Sequence, residues 1–243
     1  MAIEMETAAG RRQESGLLAA AGVLAVSTTI SLVAGLDVGT ALTEPGELRR
    51  TISEYGLGTG VQAFLFTVAV GLLAAGSVAV LVSLVRRGLA PGRSAVTGGL
   101  VAWAVGLAVI AIFPKQDHSR PDTFGGDVHR IASLIAFVGL PVAAFALARR
   151  WRREPSWAGW ARRVGILAGV SVAMAGPLLY AVVVAVATGA EWWQVIPLGY
   201  VERGLLLAEV ATMLAIGCWS RAAGQRSEPA GFRRGDGRSG SEC

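Results

Sequence analysis

Six long stretches of the chain carry almost no charge, and that pattern decides what it can fold into. They run from Gly16 to Leu36, Gly60 to Val85, Ala95 to Phe113, Ile131 to Ala148, Val164 to Thr188 and Gly199 to Trp219, each 18 to 26 residues long. A helix needs roughly 20 apolar residues to cross a hydrocarbon core of about 30 Å. The runs are continuous rather than alternating, which excludes barrel strands. The expected fold is therefore all-α: a polytopic bundle of six transmembrane helices over 16–220. A cytoplasmic segment, 1–15, precedes it, and a disordered basic tail, 221–243, follows. Composition agrees. At 53% hydrophobic and 16% charged, the chain lacks the polar residues that cover a soluble domain.

Charge orients the bundle. With the N-terminus inside, the inner segments hold sixteen basic and seven acidic residues, a net of +9, which leaves −4 for the outer side. The positive-inside rule then places both termini in the cytoplasm of a cell whose inner membrane holds the chain. The pI near 10.0 follows from the same arginines, and their one-sided distribution argues against nucleic acid as a partner. The first span reads as an uncleaved signal anchor, because 21 apolar residues exceed a signal-peptide core of about 7–15. Arginine outnumbers lysine 21 to one, which fits a GC-rich bacterial source. The two cysteines, Cys218 and Cys243, form neither a metal knuckle nor a lipidation box.

The loops add detail. The inner loop RRWRREPSWAGWARR sets six arginines among Trp151, Trp157 and Trp160, a composition suited to the headgroup layer and to anionic lipid. The first outer loop, Asp37 to Thr59, is expected to hold a short surface helix started by Pro45, with Leu48, Ile52 and Tyr55 on one face. Small residues recur every four positions at Gly71, Ala75 and Ala79, at Gly98, Ala102 and Gly106, and at Gly165, Gly169 and Ala173. Such stripes allow close helix approach. Pro141 and Pro177 should kink spans four and five.

The polar residues gather on the outer side. Residues 113–130 contain both histidines, His118 and His129, and the carboxylates Asp117, Asp122 and Asp127. Topology brings this loop to the side of Glu54 and of Glu202, Arg203 and the deeper Glu209. The candidate pocket is thus Glu54, Asp117, His129, Glu202, Arg203 and Glu209, with His129 within reach of Glu54, Asp117 or Arg203. Asp127, just before a helix, reads as an N-cap. Glu202–Arg203 reads as an ion pair pinning two helices. Glu209 is the one ionisable residue well inside a span, so it should face the interior, paired or protonated. Two histidines and no ligand-spaced motif indicate neither a metal nor a cofactor, and no nucleophile elbow or phosphate loop is present.

Glu54-Tyr55-Gly56 ahead of span two, Phe113-Pro114 followed by Asp117, His129 opening span four and Glu202-Arg203 opening span six resemble the domain of unknown function 998 family. These are six-helix membrane proteins of bacteria and archaea. The resemblance covers about residues 15 to 220 and implies the fold without adding a reaction.

The function expected is that of a multi-pass integral membrane protein whose polar extracytoplasmic pocket binds a small-molecule or lipid ligand or ties the bundle together. Two alternatives stand beside it. One is a small-solute or lipid transporter that uses Glu209. The other is a membrane-embedded hydrolase or transferase that uses the Asp117/His129 loop.

Overall fold

The computed structural model describes residues 2–43, 51–58, 60–116 and 123–226. Six long helices dominate: α1 (Ala2–Thr43), α2 (Val61–Arg86), α3 (Ala95–Ile112), α4 (Phe124–Trp151), α5 (Ala158–Thr188) and α6 (Leu198–Arg226). Two short 3-10 helices, η1 (Ile52–Leu57) and η2 (Trp192–Gln194), lie before α2 and before α6. No strand occurs among the described residues. The chain is an all-α polytopic membrane protein. Five segments, Gln13–Thr43, Val61–Arg86, Ala95–Ile112, Phe124–Trp151 and Ala158–Thr188, are long and apolar enough to cross a bilayer. The sixth run, in α6, falls outside that set.

Each helix packs on its chain neighbour, and α6 closes back on α1. Polar ties cross the apolar core where they are needed. Trp103 of α3 is fully buried and donates its Nε1–H to Ser77 Oγ of α2 at 2.9 Å. Thr29 Oγ1 of α1 donates to the Ala69 carbonyl at 2.9 Å. Ser83 and Ser220 join α2 to α6 at 2.8 Å.

Helix contact depends on missing side chains. A Cβ on Gly99 would stand 2.5 Å from the Gly139 carbonyl oxygen, and one on Gly139 would stand 2.8 Å from that of Gly99. The α3–α4 backbones therefore touch at glycine. On α1 and α2 the same happens at Gly22 and Gly76, where a Cβ on the first would meet the second's carbonyl at 2.8 Å. The stripes expected from four-residue spacing coincide with this only in part. Gly106 is in close contact, but Gly71, Gly98 and Gly169 have nothing within 4 Å of a built Cβ.

Several boundaries differ from the sequence reading. α1 begins at Ala2 and continues seven residues past Leu36, so Asp37 lies in a helix rather than a loop. The short helix expected from Pro45 begins outside the described residues, and the helical turn that is present starts at Ile52. α4 is capped by Thr123, whose side chain accepts from Gly126 N at 3.2 Å, and not by Asp127. Asp127 lies in the first turn, 3.6 Å from Arg130. α6 stays helical to Arg226, and the rest of the expected tail lies outside the described residues.

Candidate functional site

η1 packs on α2 and α6 at one end of the bundle, and polar residues there and at the ends of α1, α3 and α4 form three groups. The first is a latch. Arg203 of α6 grips Asp37 of α1 with two nitrogens of one guanidinium edge, Nε to Oδ2 at 3.0 Å and Nη2 to Oδ1 at 2.7 Å. Tyr55 of η1 donates its hydroxyl to the same Oδ1 at 2.8 Å, and Arg203 Nη1 also reaches the Gly199 carbonyl at 3.0 Å. A two-pronged Arg–carboxylate pair fixes geometry as well as charge. The expected Glu202–Arg203 pair is therefore replaced. Neighbours on a helix point about 100° apart, and Arg203 turns to Asp37 instead.

The freed Glu202 has another task. Its carboxylate accepts from the backbone N–H of Ile52 at 3.1 Å and of Ser53 at 3.3 Å. These are the first amides of η1, and Thr51 supplies no side-chain cap for them. A carboxylate from a helix 150 residues away thus satisfies donors that the local sequence leaves open.

The third group centres on Lys115. Its ammonium donates to Glu54 Oε1 at 2.9 Å and to Thr51 Oγ1 at 2.6 Å. Thr51 donates in turn to Glu54 Oε1 at 3.1 Å. Burial pushes the Glu54 carboxyl up, but Lys115 and Thr51 outweigh it and hold the group below the ordinary glutamate value. Gln116, buried beside it, accepts from the backbone and hydroxyl of Thr123 at 3.1 and 2.7 Å, tying the α3–α4 connection to the start of α4.

Beside the second and third groups lies a cavity of about 300 Å³. Thr51, Ser53, Lys115, Gln116, His129 and Glu202 line one part of it, while Phe137, Leu178, Val182, Leu198 and Leu205 form apolar walls. His129 is buried, and its Nδ1–H donates to the Phe113 carbonyl at 2.8 Å. That bond leaves Nε2 as the free ring position.

The structure brings together only part of the expected pocket. His129 and Glu202 line the cavity, and Glu54 stands behind Lys115. Arg203 points away toward Asp37, and the hydrogen bond of His129 goes to Phe113 rather than to Glu54 or Arg203. Asp117, with His118 and Asp122, lies outside the described residues. Glu209 does face the interior. It is fully buried, seven residues along α6 from Glu202, and among the described residues neither carboxyl oxygen has a hydrogen-bond partner. Among the described residues no three His, Cys, Asp or Glu side chains are grouped closely enough to hold a metal ion. Asp37, Lys115 and Gln116 are the additions that sequence reasoning missed. Lys115 carried a signal as the only lysine of the chain.

Among known proteins, a family model described as protein of unknown function (DUF998) matches residues 19–219. No curated protein and no solved structure matches the chain.

Proposed function

The chain belongs to the DUF998 family, and on that premise we propose that it is an inner-membrane protein with six crossings and both termini in the cytoplasm. In this reading, its extracytoplasmic cavity binds a small amphiphile. The cavity itself carries the reading: one end is polar and the walls are apolar. The charges at the polar end are already engaged, with Lys115 on Glu54, Glu202 on η1 and Arg130 3.6 Å from Asp127. The fitting ligand is therefore a lipid-like molecule with an apolar body and a small polar head, its head near His129 and its body on Phe137 and Leu205. At the opposite end, the arginine–tryptophan loop lies in the headgroup layer and gathers anionic lipid.

The test is ligand-dependent thermal unfolding in detergent, with 1-decanol as the probe. Ligand at a hundredfold over Kd stabilises a protein by about 2.7 kcal/mol. The wild type should show a saturable rise in Tm, and Leu205→Trp, which fills the cavity, should show none. Equal shifts in both would overturn the reading.

A transport reading rests on Glu209. The residue lies one turn beyond Leu205, a wall of the cavity, on the Glu202 face of α6 and about 10 Å deeper. A carboxyl with no partner in an apolar interior is suited to carrying a proton or binding a passing cation. Uptake that depends on a proton or sodium gradient and disappears in Glu209→Gln would support it, and uptake unchanged in that variant would remove it.

A further inference from the structure

We propose that the groove between the end of α4 and the start of α5 is a discrete binding site for the phosphate headgroup of an anionic phospholipid. A cavity of about 730 Å³ lies there, with Arg149, Arg152 and Arg162 on its lining. Phe145, Arg149 and Arg152 follow at steps of four and three and so share one face of α4. Arg162 approaches from α5, over the buried Ala161.

The arginines that line the cavity differ from those stacked on the tryptophans of this end, and Arg153 is exposed and lies off the lining. Arg150, Arg163 and Arg226 lie over the rings of Trp151, Trp160 and Trp157, at 5.5, 5.3 and 4.5 Å from the centroids. Arg149, Arg152 and Arg162 have no such ring and, among the described residues, no carboxylate within ion-pair distance. Glu154, the one acid in the loop, accepts instead from Ser156 Oγ at 3.3 Å. Three unpaired guanidinium groups around one cavity repel each other, and an anion between them removes that repulsion. Their planar forks match phosphate oxygens two at a time. The uncapped start of α5 brings the positive end of its dipole to the groove and the end of α4 brings a negative one, so the three arginines supply the net positive charge.

Phe145 extends the site toward the acyl layer. It sits one turn deeper in α4, is 44% exposed, and lines the same cavity. The acyl chain of a bound lipid would pack on it, a contact that inorganic phosphate cannot make. The inference rests on the proposed position of this loop in the headgroup layer.

Native mass spectrometry of the full chain in mild detergent tests the site, with phosphatidylglycerol and phosphatidylcholine as lipid probes and glycerol phosphate as a soluble competitor. One phosphatidylglycerol should be retained saturably, and phosphatidylcholine should not. The triple variant Arg149→Gln, Arg152→Gln, Arg162→Gln should weaken retention at least tenfold. The triple Arg150→Gln, Arg153→Gln, Arg163→Gln removes equal charge and should stay within threefold of wild type. Should the cavity triple fail to fold by circular dichroism, the same positions changed to Lys keep the charge and lose the fork, and several-fold weakening is expected. Equal losses in the two triples, unsaturable uptake, Lys variants that bind as wild type, or displacement by equimolar glycerol phosphate would each overturn the site. The loop's position is checked separately by impermeant thiol labelling of Ser156→Cys in a background without other cysteines. Labelling from the outer side refutes that position. Correct labelling together with failed lipid retention refutes the site alone.

Discussion

Glu209 holds two carboxyl oxygens in an apolar interior, and nothing among the described residues receives them. A buried polar group without a partner costs about 1–3 kcal/mol. The same position filled by an apolar side chain of similar size would avoid that cost. Glu209→Leu is therefore expected to raise the unfolding free energy by about 1–3 kcal/mol, as measured by denaturation in mixed micelles. A loss of stability instead would mean that the carboxyl is held by contacts other than those described. Glu54 shows the opposite case of a carboxylate that is well received. Its pKa is lowered in the folded chain, so its contribution is present above the ordinary glutamate range and is lost as pH falls through the folded value. The stability gap between wild type and Glu54→Gln should be constant above about pH 5.5 and should close progressively below about pH 4.5. Thermal unfolding across that range reads it, and a gap that widens on acidification would contradict the Lys115 assignment.

At the scale of helices, the α3–α4 contact makes a paired prediction. Gly99→Ala places a methyl group against the Gly139 backbone and should cost about 1–3 kcal/mol through forced separation of the helices. Gly98→Ala meets nothing, and in a helix it should gain about 0.5–1 kcal/mol. Unfolding of both variants in the same detergent checks the contrast, and equal effects would place the contact elsewhere. The existence of the helices is legible in the chain because each apolar run has a length that only a membrane or a buried core demands. Their inward faces are less so. Small residues at 98, 102 and 106 and at 99 and 106 describe two faces one residue apart. Trp103 decides between them, because its buried N–H must find Ser77. The same holds for the site. His129 and Glu202 stand out as ionisable residues at the mouths of apolar runs. Asp37 does not, because its residue neighbours read as a loop and its partner is 166 positions away. Asp127 reads as a cap until Thr123, four residues earlier, is seen to take that place.

For the whole molecule, the basic segments converge on one end. Trp151 Nε1 donates to the Leu89 carbonyl at 2.9 Å, Arg226 to that of Ser156 at 2.6 Å, and Arg86 pairs with Glu14 at 3.0 Å. The α2–α3, α4–α5 and terminal segments thus share a side, opposite the latch and the cavity. Reporter fusions after Arg87, Arg153 and Arg226 should all report cytoplasm, and fusions after Glu47, Asp122 and Glu191 should report the exterior. One clear reversal would dismantle both the sixth crossing and the common outer face.

The return of α6 onto α1 has a consequence for how the chain is made. The ribosome releases Asp37 well before Arg203, and at about 5–20 residues per second the 166-residue interval lasts roughly 8–33 s. Throughout that time the carboxylate has no guanidinium, and η1 has no Glu202 to receive its first amides. Insertion of five helices therefore leaves an unfinished object with an open seam between first and last. A chain stopped at residue 197 should be cleared by membrane proteases within minutes, and co-expression of 198–243 as a separate polypeptide should extend its lifetime, as pulse-chase labelling would show. α6 thus closes the seam that the five earlier helices leave open.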